Sequence, residues 1–229
     1  MKIGILGTGM VSQAISPKLI ELGHSVMIGT RNVEATLSNT SPNQYGMPPF
    51  SEWYKNHKNV SLGTFADAAS FGEMLMNCTS GGASLDVLKL CGAENLNGKI
   101  LIDIANPLDF SKGFPPSLSV CNTDSLGEQI QRTFPELKVV KALNTLNASL
   151  MINPSLIPGD HNLFICGNDE AAKATVINLL KEFGWKEKNI LDMGDITNAR
   201  ATEMLLPIWV RLYGKLQTPL FNFNIVKAQ

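Results

Sequence analysis

The chain has 229 residues, 44% of them apolar, with 19 basic and 20 acidic side chains and a net charge of −1. That length and apolar fraction suit one large domain, or one domain with a small companion, around a real core. No Lys/Arg run or basic patch supports nucleic-acid binding, and the longest apolar stretch near the C-terminus, 204–210, is far too short to span a bilayer.

Met1-Lys2 runs straight into a first core strand with no signal peptide, so a soluble protein located in the cytoplasm is expected. Lys2-Ile3-Gly4-Ile5-Leu6 predicts that short buried strand. Gly7-Thr8-Gly9-Met10-Val11-Ser12 follows, and Ala14, Ile15, Leu19, Ile20 and Leu22 then recur at helical spacing up to Gly23. A second apolar strand over 24–29 ends in Thr30-Arg31-Asn32. Strand, glycine turn, helix, strand is the opening of a dinucleotide-binding unit. Gly7 allows a tight turn that a Cβ would block, and Gly9 lets the backbone approach a pyrophosphate. The first amides of the helix face the phosphates, with the positive end of the helix dipole behind them. Ser12 takes the third glycine position and is still small enough for close helix–strand packing.

The end of the second strand selects the nucleotide. An NAD site calls for an acidic residue about 20 residues after the glycines. Here no carboxylate appears before Glu34. Arg31 would attract a 2′-phosphate that a carboxylate would repel, and Thr30 and Asn32 add hydrogen-bonding groups. NADP(H) is therefore expected over NAD(H).

Residues 36–59 are rich in Asn, Ser, Pro and Gly, with Tyr45, Phe50, Trp53 and Tyr54 spaced among them. They predict a long connection ending in a short helix near 50–57, which either lies over the adenine end of a cofactor or caps the sheet. Strands are expected over 60–62, 73–78, 99–104 and 139–143, and helices over 65–71, 83–91 and 125–134. Ser125 and Glu128 are spaced as a capping box. The strands end in small or amide-bearing residues: Gly7 and Thr8, Thr30, Thr79 and Ser80, Asn106 before Pro107, and Asn144. Such strand ends line the ligand crevice of a doubly wound sheet, which makes these residues candidate contacts by position.

A second part has strands over 163–167 and 190–193, a helix over 171–183, a long final helix over 197–216 bent at Pro207, and an alternating tail over 221–226. The fold expected is α/β: a Rossmann-type, doubly wound, mostly parallel sheet with a small C-terminal α/β extension. Residues 1–145 form the NADP-binding domain and 146–229 the small C-terminal domain with the final helix. Met204, Trp209 and Leu212, on or near one apolar face of that helix, pack either in a homodimer or on their own sheet.

Several chemistries are disfavoured. Cys78, Cys91, Cys121 and Cys166 form no C-x-x-C pair, and Cys78 and Cys166 read as packed thiols. His24, His57 and His161 stand far apart, so no metal site is expected. Tyr45, Tyr54 and Tyr213 give no Tyr-x-x-x-Lys dyad, against short-chain dehydrogenase chemistry. Too few residues follow the sixth strand for the long helical domain of the 3-hydroxyisobutyrate and 6-phosphogluconate type. No Gly-x-Ser-x-Gly elbow or Walker loop occurs. No general acid or base is evident. Hydride transfer between nicotinamide and a flavin-like ring fits that absence, because it needs close approach of two planar rings. A carbonyl substrate would usually need a proton donor.

Gly7-Thr8-Gly9, Ile28-Gly29-Thr30-Arg31-Asn32, Asp103-Ile104-Ala105-Asn106-Pro107, Val139-Val140-Lys141-Ala142-Leu143-Asn144-Thr145, Ile165-Cys166-Gly167-Asn168-Asp169 and Asp192-Met193-Gly194-Asp195-Ile196 carry a resemblance. Together they resemble the NADP-dependent oxidoreductases of the deazaflavin coenzyme F420 type, and the cytosolic reductase domain of the six-transmembrane ferric reductases. The resemblance spans nearly the entire chain. It implies an NADPH site at Thr8, Met10, Val11, Thr30, Arg31, Thr79, Asn106 and Ala142. It also implies a deazaflavin or flavin laid against the nicotinamide near Asn144 and the final helix, making Asn144 the candidate catalytic residue. The ferric-reductase domains look to share this asparagine, where the deazaflavin enzymes look to have a histidine. The implied partner is a small-molecule electron acceptor: coenzyme F420, FMN or FAD. A soluble NADPH:flavin reductase competes within this class. From another class, a non-catalytic NADP(H)-binding module could sense redox state or serve a partner protein.

Overall fold

The computed structural model describes residues 1–42 and 46–228. Tyr45 of the long connection lies outside them. In chain order the elements are β1 (Lys2–Leu6), α1 (Met10–Glu21), β2 (Ser25–Thr30), α2 (Val33–Ser38), α3 (Phe50–Lys55), β3 (Ser61–Thr64), α4 (Phe65–Phe71), β4 (Met74–Asn77), α5 (Ser84–Cys91) and β5 (Ile100–Asp103). A two-stranded hairpin of β6 (Leu108–Asp109) and β7 (Ser117–Leu118) follows, then α6 (Leu126–Thr133) and β8 (Lys138–Ala142). The chain continues through α7 (Ala148–Ile152), β9 (Leu163–Gly167), α8 (Glu170–Glu182), β10 (Ile190–Asp192), α9 (Ala199–Met204) and α10 (Leu206–Leu216).

Eight strands form one sheet in the order β10-β9-β8-β5-β4-β1-β2-β3. From β3 to β8 all neighbours are parallel, in the arrangement of two mirrored mononucleotide-binding halves. β9 joins β8 antiparallel, and β10 pairs parallel with β9. The doubly wound, mostly parallel sheet is therefore as expected.

The strands read as unbroken apolar runs because both faces of the sheet are covered. Ile3, Ile5, Met74, Met76, Ile102 and Val140 enter one core with α1, α7 and α8. Leu75, Leu101 and Val139 point the other way, into a second core with α4, α5 and α6. Lys141 follows Val140 in β8 and is fully buried, as are Asp103 and Glu203.

Local chemistry explains the departures from expectation. α2 buries none of its residues, so it carries no apolar stripe; Asn32 Oδ1 starts it by accepting from the Ala35 N–H at 2.9 Å. The capping box at α6 is half formed. Ser125 Oγ accepts from the Glu128 N–H at 3.1 Å, but the Glu128 carboxylate takes the Ser125 hydroxyl and the Arg200 guanidinium. The final helix divides at Leu205, because Pro207 sits in the first turn of α10 and lacks the N–H a continuous helix would use. Trp209 packs on its own chain, stacked between Tyr213 and Phe221. Met204, Ile208, Tyr213 and Leu216 are the exposed large apolar side chains of α9 and α10. The tail forms no strand; Asn162 ties it down through the Phe223 carbonyl and the Ile225 N–H.

Candidate active site

The crevice begins where β1 stops. Gly7 adopts φ 106°, and a Cβ there would stand 3.0 Å from the Cys78 carbonyl oxygen. Gly9 precedes α1 in extended conformation, and a Cβ on it would meet nothing within 4 Å. The space above Gly9 is therefore open. Ser12 is fully buried and donates to the Gly9 carbonyl at 2.7 Å, while Gln13 Nε2 holds the Thr8 carbonyl at 2.9 Å. Those two bonds fix the turn. No side chain caps the first turn of α1 and no acidic residue lies in it, so its amides keep their capacity for an anion.

A cavity of about 490 Å³ opens beside this turn. Thr8, Gly9 and Met10 form one wall, Thr30, Arg31 and Asn32 the second, and Met47, Pro48, Pro49 and Phe50 the third. Phe50 of the long connection enters the core, and the residues before it wall the cavity. Arg31 is exposed and makes no hydrogen bond or ion pair among the described residues. Its neighbours are already engaged. The Thr30 hydroxyl pairs with Thr36 at 2.7 Å, and Asn32 Oδ1 caps α2. Arg31 also borders a second opening that continues past Gly7 to Thr79 and Ser80.

At the end of β4, the Thr79 hydroxyl donates to Asn77 Oδ1 at 2.6 Å, and Ser80 is exposed. At the ends of β5 and β8 two carboxamides meet. Asn144 Nδ2 donates to Asn106 Oδ1 at 2.9 Å, and Asn106 Nδ2 donates to the Asn144 carbonyl at 2.8 Å. Asn144 is 3% exposed, and its Oδ1 is buried without a partner. Gly81 makes room for this pair, since a Cβ there would fall 2.1 Å from the Asn106 carbonyl oxygen. Leu143, between Ala142 and Asn144, holds φ 65°, a strained conformation for a bulky residue. The Pro107 carbonyl accepts from the Ser119 N–H, anchoring the β6–β7 hairpin. Val11 is half-buried and Met10 exposed on α1.

The sequence-predicted residues therefore lie along one edge of the sheet, at the ends of β2, β1, β4, β5 and β8 in that spatial order. What sequence reasoning missed lies behind that edge. Lys141 Nζ reaches Asp103 Oδ2 and Glu203 Oε1, each at 2.8 Å, and the Ala105 carbonyl. The only signal was a lysine inside an otherwise apolar strand. Burial raises the Glu203 carboxyl above its usual range. Lys141 is also buried, yet Asp103 and Glu203 hold it above its ordinary value.

The histidines hold structure. His24 pairs with Glu182, His57 stacks on Trp53, and His161 bonds the Pro154 carbonyl and Asn222. Among the described residues no three His, Cys, Asp or Glu side chains gather as a metal site would require. Burial pushes the Cys91 and Cys166 thiols up to about 12. Among the described residues, no helix is long and apolar enough to cross a membrane.

The sheet order, glycine turn and open helix N-terminus define a Rossmann-type dinucleotide-binding protein. Residues 2–107 match the family described as NADP oxidoreductase, coenzyme F420-dependent. The fold superposes with a TM-score of 0.94 on the crystal structure of a candidate F420-dependent NADP-reductase from Arthrobacter sp. FB24, 56% identical, covering 99% of this chain and all of that one. The F420-dependent NADP reductase of Methanocaldococcus jannaschii is 29% identical over 71% of this chain and 72% of its own length. Metalloreductase STEAP3 of Rattus norvegicus is 29% identical over 91% of this chain, which spans only 38% of that protein. The chain belongs to the family of coenzyme F420-dependent NADP oxidoreductases.

Proposed function

We propose that this protein transfers hydride between NADP(H) and a planar heterocyclic acceptor, a deazaflavin such as coenzyme F420 or a flavin such as FMN or FAD. One observation carries the reading: an ordered row of groups along a single sheet edge. Among the described residues, a guanidinium without a partner stands at one end, an open helix N-terminus in the middle, and a buried carboxamide oxygen without a partner at the other end. Four strand spacings separate β2 from β8, on the order of 19 Å, which suits an extended dinucleotide.

The residues fit NADP(H). The space that a Gly9 Cβ would occupy is free for a pyrophosphate, and Arg31 is free for a 2′-phosphate. Thr8, Met10 and Val11 take the phosphate side, Thr30 and Asn32 flank Arg31, and Thr79, Ser80 and Pro107 border the path to the nicotinamide end, whereas Ala142 is fully buried in the core beneath it. Bound NADPH would supply the hydride. Asn106 and Asn144 would orient the rings: Asn144 Oδ1 accepts a ring or carboxamide N–H that water cannot easily reach. Neither asparagine titrates, so their contribution is orientation rather than proton transfer. Support for the deazaflavin comes from the family; the asparagine at 144 leaves the flavins as acceptors of equal chemical fit. The exposed Met204, Ile208 and Leu216 support a homodimer contact at α9 and α10.

The test is calorimetric titration with NADPH and NADH, repeated with F420, FMN and FAD present. Tight NADPH binding followed by a second, NADPH-dependent binding event and turnover supports the reading and identifies the acceptor. NADPH binding without turnover on any ring acceptor favours a non-catalytic redox sensor. No nucleotide binding overturns both.

A further inference from the structure

The buried ions behind the crevice are not used by the chemistry proposed above. All three protons of the Lys141 ammonium are engaged, by Asp103, Glu203 and the Ala105 carbonyl. Glu203 also accepts the backbone N–H groups of Leu126 at 2.9 Å and Gly127 at 3.1 Å, in the first turn of α6. Asp103 Oδ1 accepts from Asn77 Nδ2 at 2.9 Å, and Asn77 Oδ1 accepts the Thr79 hydroxyl. One ammonium thus joins the ends of β4, β5 and β8 to α6 and α9.

Stability does not account for this arrangement. Burying three ionisable groups is costly, and apolar replacement of such groups is often neutral or stabilising. The geometric consequence is more specific. Ala105, whose carbonyl Lys141 grips, immediately precedes Asn106. Lys141 itself stands three residues before Asn144, with the strained Leu143 between them. Strain of that kind persists only where the surroundings over-determine it. Thr79, at the far end of the network, lies on the same crevice. The strand ends gripped by the ions are those that carry the nicotinamide-end residues.

We propose that Lys141, Asp103 and Glu203 are positioning residues that lock the Asn106–Asn144 pair and so aim Asn144 Oδ1 at the nicotinamide end of the site. The inference rests on the reading of the crevice as an NADP(H) site. All three side chains are buried and act through the two asparagines, not on the ligand. Asp103 and Glu203 favour the charged form of the ammonium against the effect of its burial.

The experiment compares the whole protein with the variant K141M/D103N/E203Q, which removes the ions at similar volume. Both are titrated calorimetrically with NADPH and with 2′,5′-ADP, which carries the adenosine and 2′-phosphate but no nicotinamide. The variant is expected to melt cooperatively and to bind 2′,5′-ADP within about twofold of wild type, while its NADPH-to-2′,5′-ADP affinity ratio falls about fivefold or more. A merely structural role would move both affinities together or neither. A folded variant with the wild-type ratio overturns the proposal, as does a wild-type ratio near one. Should the triple variant not fold, Glu203→Gln decides by the same ratio, expected to fall about twofold. Wild-type protein that binds neither ligand overturns the NADP(H) reading itself.

Discussion

Asn106 and Asn144 bond to one another across the ends of β5 and β8, at 2.9 Å between carboxamides and 2.8 Å to the Asn144 backbone. Each fixes the other, and the arrangement leaves Asn144 Oδ1 buried and unpaired. A buried acceptor without a partner is unfavourable unless a ligand completes it. Asn144→Ala removes that acceptor and one of the two bonds that hold the Asn106 side chain, leaving the bond to the 144 backbone carbonyl. Turnover of NADPH is expected to fall about five- to tenfold, the equivalent of one lost hydrogen bond of about 1–1.5 kcal/mol. Steady-state kinetics with the acceptor found by titration checks this. Unchanged kcat and KM would remove Asn144 from the reaction.

Among the described residues Arg31 makes no hydrogen bond or ion pair, whereas Thr30 and Asn32 are both held locally. Arg31→Glu therefore costs the fold little and should act on the ligand. It replaces a charge-assisted contact with repulsion, weakening NADPH by about 2–3 kcal/mol while leaving NADH nearly unaffected. Calorimetry on both nucleotides measures the difference. NADPH affinity equal to wild type would sink the assignment of the 2′-phosphate to this residue.

These two sites differ in how far the sequence displays them. The end of β2 is legible because Thr30-Arg31-Asn32 stops an apolar run at a known distance from the glycines. The strands are legible for the same reason, being buried on both faces. α2 is not legible, because a helix with no buried residue has no apolar period. The division of the final helix follows from Pro207 in the first turn of α10. Lys141 is visible as an anomaly in Val139-Val140-Lys141-Ala142, yet nothing local names Asp103 and Glu203 as its partners. Leu143 gives no sign in the sequence of a left-handed backbone. Non-local pairing and strain, the features that shape the nicotinamide end, are what a single sequence hides.

Acid sensitivity should trace to α6. The Arg200 guanidinium holds the Glu128 carboxyl below its usual value, helped by the Ser125 hydroxyl and opposed by burial. A carboxyl with a depressed folded-state pKa stabilises the fold above its unfolded value of about 4.3, and that stability is lost as pH falls through the folded value. Asp124, bonded by Arg132 at the same end of α6, is depressed likewise. Glu203 has the opposite sign, because burial raises it and its protonation relieves the fold. The net expectation is a melting temperature that declines below about pH 4.5. Glu128→Gln should be less stable at neutral pH by about 1–2 kcal/mol and decline less steeply in acid. Thermal melts across pH measure both. Parallel curves for variant and wild type would show that Glu128 does not carry the effect.

Gly7 and Gly9 stand two residues apart in one turn, yet substitution should separate them cleanly. Gly7 has φ 106° and touches the Cys78 backbone, so Gly7→Val meets strain and collision together. That variant should lose about 2 kcal/mol or more of stability, whatever ligand is present. Gly9 lies in a conformation open to any residue, with free space where its Cβ would stand. Gly9→Val should fold with a melting temperature near wild type but fill the space proposed for the pyrophosphate. NADPH binding is expected to drop beyond about 100-fold, the equivalent of roughly 3 kcal/mol. Melting curves and calorimetry on the two variants give the comparison. A folded Gly9→Val protein that binds NADPH normally would show that the phosphates do not cross this turn.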